Sequence, residues 1–128
     1  MSVGVYLDRK ERITGSDILS LSDERPLFEL QGADEDYILD AGMFVWFRSP
    51  EVSSGASVVF RVYNIRPVWG DVLMDVYRVR FEDEVKFVRI PSTLLPADSS
   101  VRVTATLEGK DVPVEVYFYA IRQVFRVI

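Results

Sequence analysis

Apolar and polar residues alternate with period two along most of this 128-residue chain. That is the signature of strands with one face buried and the other wet. Val3, Val5 and Leu7 share one face of a first short strand, which the charged run at residues 8–12 is expected to end. Ser16 and Asp17 carry a helix-capping signal ahead of Ile18, Leu19 and Leu21, so one helical turn is expected there. Residues 27–31 read as a short strand, residues 33–36 as an acidic loop, and residues 43–48 (MFVWFR) as a strand apolar on both faces and buried, with Trp46 in the core. Residues 49–55 are a loop, and residues 57–66 a long strand.

Residues 67–71 (PVWGD) form a turn. Strands at 72–81 and 85–90 flank the short acidic turn 82–84, so a hairpin is expected. Residues 91–100 hold two prolines and read as a loop. The cleanest alternation lies at 101–107, with Val101, Val103, Ala105 and Leu107 facing in and Arg102, Thr104 and Thr106 facing out. The glycine in 108–111 should close a second hairpin onto Val112. Residues 112–128 contain no breaker after Pro113. Val112, Val114, Val116 and Phe118 share one parity, and Ile121, Phe125 and Val127 the other. A bulge or bend near residues 120–123 would reconcile the two phases, since one extra residue switches the facing side. It would also shorten a segment too long for one straight strand of a small sandwich.

The stretch Leu95-Pro96-Ala97-Asp98-Ser99-Ser100-Val101-Arg102-Val103-Thr104-Ala105 resembles the turn and strand that precede the last hairpin of immunoglobulin-like domains. Arg102 and Thr104 stand where that family carries its tyrosine and cysteine. The resemblance covers about a tenth of the chain and implies a sandwich, a fold that does not fix function. The expected fold is thus all-β, a single-domain antiparallel β-sandwich over residues 1–128, jelly-roll or immunoglobulin-like, with about eight strands and little helix.

Composition narrows the chemistry more than it names it. A chain of this length buries roughly two-thirds of its unfolded surface and folds without metal or disulfide. It contains neither cysteine nor histidine. Thiolate catalysis, Ser-His-Asp triads and the usual zinc sites are therefore excluded. The net charge of −5 opposes sequence-independent nucleic-acid binding. All of that charge sits in residues 1–64, which hold 11 Asp and Glu against 6 Lys and Arg. Basic residues are 12 Arg to 3 Lys. Arginine is the cation favoured at interfaces, because its planar fork makes bidentate and stacking contacts. Residues 1–12 have no apolar core of signal-peptide length, and no run approaches the roughly 20 apolar residues of a membrane span. A virion or cytoplasmic location with no membrane partner is expected.

Three candidate sites stand out. Asp34, Glu35, Asp36 and Asp40 form the densest carboxylate cluster, which is either a solvated loop or a calcium site. Trp69 lies in a turn, where it either plugs the end of the sandwich or stacks on a sugar ring or protein partner. Tyr117 and Tyr119, on the face opposite Val116 and Phe118, form an aromatic contact stripe continued by Arg122, Phe125 and Arg126 in an apolar C-terminal segment. That segment, residues 121–128, is expected to contact another chain, its two arginines meeting carboxylates across the contact, unless it crosses to the second sheet of its own domain. No catalytic residue and no cofactor or metal site is assigned. The reading is a non-enzymatic assembly protein, a phage decoration, cement or tail component, that packs on copies of itself or on a larger protein shell. A carbohydrate-binding module is the alternative, and a small hydrolase the third class.

Overall fold

The computed structural model describes residues 5–31, 35–82 and 85–127. Eight strands follow in order: β1 (Val5–Ile18), β2 (Arg25–Leu30), β3 (Tyr37–Phe47), β4 (Ser57–Arg66), β5 (Gly70–Arg80), β6 (Lys86–Leu95), β7 (Ser100–Glu108) and β8 (Val114–Val127). Among the described residues the one helical element is a 3-10 turn at Pro50–Val52. The strands form two four-stranded antiparallel sheets, ordered β1-β8-β3-β6 and β2-β7-β4-β5. First pairs with last, second with seventh, third with sixth and fourth with fifth, the nested order of a jelly roll. The chain is a β-sandwich, as the alternation implies.

Inward parity supplies the core. Leu39, Met43 and Val45 from β3, Val58 and Phe60 from β4, Val101, Val103 and Leu107 from β7, and Val114 and Val116 from β8 are all essentially inaccessible. Phe28 of β2 meets Phe118 of β8 across the two sheets, ring centroids 5.3 Å apart. Tyr37 is buried and donates its hydroxyl to the Ser99 carbonyl at 2.9 Å, tying the start of β3 to the turn before β7. Burial pushes the pKa of this phenol up.

Several expectations change. The charged run at 8–12 does not end β1, because β1 is an edge strand with one neighbour and Arg9, Lys10, Glu11 and Arg12 stand in water. No helical turn forms at Ser16, which lies inside β1, where Ser16 pairs with Tyr117. Leu94, expected in a loop, lies in β6 and pairs with Ile38. Neither expected hairpin exists: β5 and β6, and likewise β7 and β8, belong to opposite sheets. Their turns carry the chain across the sandwich instead. Trp46 is not core. Met43, Val45 and Phe47 face in, while Phe44 and Trp46 face out.

The C-terminal segment is corrected most. It neither bends at 120–123 nor changes phase. Val114, Val116, Ala120 and Val124 are all buried on one parity. β8 pairs without a register shift against β3 from Phe47↔Val114 to Ile38↔Gln123. The irregularity lies in β1, between Leu7 and Arg9. Arg122 occupies an inward position at the sandwich end, and this hid the alternation in the sequence. β8 is therefore a central strand of its own sheet. Val3, Ala33, Asp34, Asp83, Glu84 and Ile128 lie outside the described residues.

Two outcomes are expected. Truncation after Gln123 removes buried Val124 and the ladder to Val5–Arg9, so thermal melting should show a lower midpoint instead of an intact monomer. Tyr37→Phe leaves the buried Ser99 carbonyl without its donor, and urea unfolding should report a loss of about 1–3 kcal/mol.

Candidate functional site: an aromatic sheet face

The outer face of the β1-β8-β3-β6 sheet collects aromatic rings from three strands. Period-two geometry puts Phe44 and Trp46 on this face because Met43, Val45 and Phe47 are drawn into the core. Register then sets their neighbours. Phe44 lies opposite Tyr117 of β8 on one side and Phe87 of β6 on the other. Gly42, two residues along on the same face, lies between Tyr119 and Arg89. The Phe44 and Phe87 centroids are 4.7 Å apart, and Phe87 and Tyr119 are stacked at 6.4 Å with their planes 17° apart. The last two rings meet over Gly42. A Cβ at Gly42 would stand 2.5 Å from the Phe87 ring and 2.8 Å from that of Tyr119, so only glycine lets them close over the strand.

These side chains reach solvent. Phe44 is 39% exposed, Trp46 40%, Phe87 47% and Tyr117 39%. A contiguous apolar patch of this kind on a folded domain marks an interaction surface more often than chance exposure does. Arginines edge it. The Arg48 guanidinium lies 4.7 Å from the Trp46 ring centroid and 2.9 Å from Glu115. Arg89 stands 3.5 Å from Asp40. A shallow hollow lined by Arg12, Thr14, Ser16, Phe44, Tyr117 and Tyr119 continues the patch onto β1. The Tyr117 hydroxyl donates to Glu115, which holds its pKa above the usual phenol value.

The outer face of the other sheet is built differently. Glu24 accepts from Tyr63 at 2.6 Å and from Thr104 at 2.7 Å. Arg102 contacts Asp71 at 2.9 Å and Glu29 at 3.7 Å. Arg61 donates to Thr106, and Arg78 donates to Glu108 at 2.9 Å. Here the polar groups satisfy one another within the chain.

The sequence-predicted site residues are not gathered at one place. Tyr117 and Tyr119 lie in the patch. Phe125 is exposed farther along β8, opposite Leu7 of β1. Arg122 turns to the sandwich end, 5.8 Å from the Tyr37 ring centroid, and donates to the Gln31 carbonyl at 2.8 Å and to Glu11 at 2.6 Å. Arg126 donates to Glu35, which also accepts from Arg9 at 2.7 Å. The carboxylates that these arginines meet thus belong to their own chain. Trp69 sits in the β4–β5 turn of the other sheet and is 75% exposed, so it does not plug the sandwich end. The acidic cluster is dispersed: Glu35 faces arginines, Asp36 accepts from the Ala97 amide at 3.0 Å, and Asp40 faces Arg89. Among the described residues no three carboxylates gather as a metal site. Sequence reasoning missed Phe44, Trp46 and Phe87. Their signal was aromatic residues at every second position, 44 and 46, next to a mid-strand glycine.

No protein-family model matches this chain, and no curated protein matches it. Solved structures do. The VP2 subviral particle of infectious bursal disease virus aligns with 92% of this chain at a TM-score of 0.56 and 10% identity. The T=1 particles derived from that virus align with 94% of it at 0.54 and 10%. This chain spans 33% and 36% of those two viral chains, about a third of their length. A Bacillus endospore appendage, of a family of disulfide-linked pili, aligns at 0.50 and 10% identity, covering 95% of this chain and 89% of its own. At such identity the likeness is one of fold. No helix in the described residues is long and apolar enough to cross a membrane.

The Glu24 network makes a pH prediction. Hydrogen bonds from Tyr63 and Thr104 hold the Glu24 carboxyl below its ordinary value of 4.5. A carboxylate with a lowered folded pKa contributes stability above its unfolded pKa and loses it as pH falls through the folded one. Glu24→Gln should therefore be less stable than the native chain at neutral pH, and in urea titrations the gap should narrow as the pH falls below 4.5.

Proposed function

We propose that this chain is a structural, non-enzymatic assembly protein, a virion-type jelly roll that packs through the aromatic face of its β1-β8-β3-β6 sheet onto copies of itself or a larger protein shell. The observation that carries this reading is the contrast between the two outer faces. On one, Glu24, Arg61, Arg78, Arg102 and Glu108 are paired within the chain, and the exposed apolar side chains lie on the β5 edge and the β4–β5 turn. The other leaves Phe44, Trp46, Phe87 and Tyr117 about two-fifths or more in water. Rigid aromatics edged by arginine are what protein interfaces concentrate at their centres. The fold likeness to capsid and pilus proteins supports an assembly role, and a decoration, cement or tail component is the specific form proposed. The site offers no nucleophile–base pair. Aromatic stacking and arginine-edged docking are the chemistry it can perform.

A second reading has one observation of its own. Trp69, with Asn64, Arg66, Val72 and Met74, lines an open hollow of about 310 Å³ on the β4–β5 hairpin. An exposed indole beside polar side chains suits stacking on a sugar ring.

Sedimentation velocity over a range of concentrations tests the first reading. The native chain should self-associate reversibly, and Phe44→Ser combined with Tyr117→Ser should weaken that association in a chain that still folds, its melting midpoint lowered by the lost Phe44–Phe87 contact. A native chain that stays monomeric at high concentration defeats packing on itself. For the second reading, Trp69→Ala should change stability by no more than about 0.5 kcal/mol, because the side chain is exposed. Retention of the native chain on immobilised polysaccharide, lost in this variant, would favour the carbohydrate module.

A further inference from the structure

A jelly roll has four edge strands, and each exposes a row of unpaired backbone donors and acceptors. Three of them carry the usual protection against pairing with another chain. β1 presents Arg9, Lys10, Glu11 and Arg12 in succession. β2 is six residues long and contains Pro26. β6 contains Pro91 and Lys86. β5 differs. It runs for eleven residues without proline or lysine, and Val72, Leu73, Met74 and Val76 are each 45–49% exposed. Its one irregularity is the bulge at Met74, where Leu73 and Asp75 oppose consecutive residues of β4. From Asp75 to Arg80 the ladder to β4 is regular, so the free edge on the other side is regular as well.

The charges on β5 are segregated. Asp71 and Asp75 lie in its first half, Arg78 and Arg80 in its second; Asp71 and Arg78 also pair within the chain, with Arg102 and Glu108, in partly exposed contacts that leave their charge at the edge. A strand charged in this way is complementary to itself when antiparallel, since each acidic half then passes the basic half of the other copy. Parallel pairing would set like charges together. A two-fold axis perpendicular to the sheet between two β5 strands gives this arrangement and closes the dimer.

We infer that β5 pairs antiparallel with β5 of a second copy, joining two β2-β7-β4-β5 sheets into one continuous eight-stranded sheet. Main-chain hydrogen bonds would supply the attraction, and Leu73 and Val76 would be covered by the partner strand. This deepens the assembly reading by adding a second contact separate from the aromatic face. One isologous contact yields only closed pairs, whereas two independent contacts build larger assemblies.

The test uses Leu73→Lys with Val76→Lys, both at exposed positions, compared by sedimentation with the native chain, with the aromatic-face variant, and with the two sets combined. The β5 variant should keep the aromatic-face contact but associate at least about tenfold more weakly in the concentration range that assembles the native chain, a loss of roughly 1.4 kcal/mol. The combined variant should be monomeric. The aromatic-face variant alone should stop at a dimer whose β5 amides exchange hydrogen more slowly as protein concentration rises. Association unchanged by the β5 substitutions, with β5 exchange independent of concentration, overturns the inference and leaves the aromatic face standing. Association lost in the β5 variant alone overturns the aromatic face and leaves this inference standing. If the double lysine variant fails to fold, the concentration dependence of exchange in the native chain decides by itself.

Discussion

β1 and β8 lie side by side, paired from Val5↔Val127 to Ile18↔Glu115. β8 is bonded on its other side to β3, so the last strand fills the gap between the first and the third. Until it arrives, β3 is paired on one side only, with β6, and Val114, Val116, Ala120 and Val124 have no core to enter. Loop closure over more than a hundred residues is unfavourable in entropy until those contacts form. A nested antiparallel order of this kind makes nearly every ladder non-local, which places the domain among slow folders. The other pairs, β2 with β7 and β3 with β6, fall within the frame that β1 and β8 close.

That frame also creates two dissimilar surfaces. The same alternation that sends Met43, Val45 and Phe47 inward obliges Phe44 and Trp46 to face out. On the opposite sheet the outward positions hold Arg61, Arg78, Arg102 and Glu108, long polar side chains that reach one another across strands. Each salt bridge there is partly exposed and contributes little stability. What the network provides is paired polar groups over β2, β7 and β4, with apolar area left in water along the β5 edge and its turn, whereas the other sheet keeps aromatic area in water across its central strands.

The legible parts of the fold were local. β7 alternates cleanly, is flanked by β2 and β4, and has Val101, Val103, Ala105 and Leu107 in the core as the pattern requires. β4 occupies the range its pattern marks. Sheet membership was not legible. The turns after β5 and β7 carry ordinary hairpin residues, but whether a turn reverses within a sheet or crosses to the other is decided by strands far away in sequence. β1 misled because an edge strand tolerates charge. β8 misled because Arg122, on an inward parity, reaches past the sandwich end to Glu11 and the Gln31 carbonyl. Tyr117 and Tyr119 could be placed on an outer face from the sequence. Their company with Phe44 and Phe87 depends on register across three strands, and no short-range pattern encodes that.

The pairing of Val5 with Val127 sets the two ends of the described chain on neighbouring strands, Cα atoms about 5 Å apart as in any antiparallel pair. Entry and exit therefore share one doorway. A peptide of a few residues would join them into a ring, and new ends could then be opened at an exposed turn such as Pro67–Trp69 with the ladders kept. For the same reason this sandwich can be threaded into the middle of a longer polypeptide as a bead, its host needing only two adjacent attachment points.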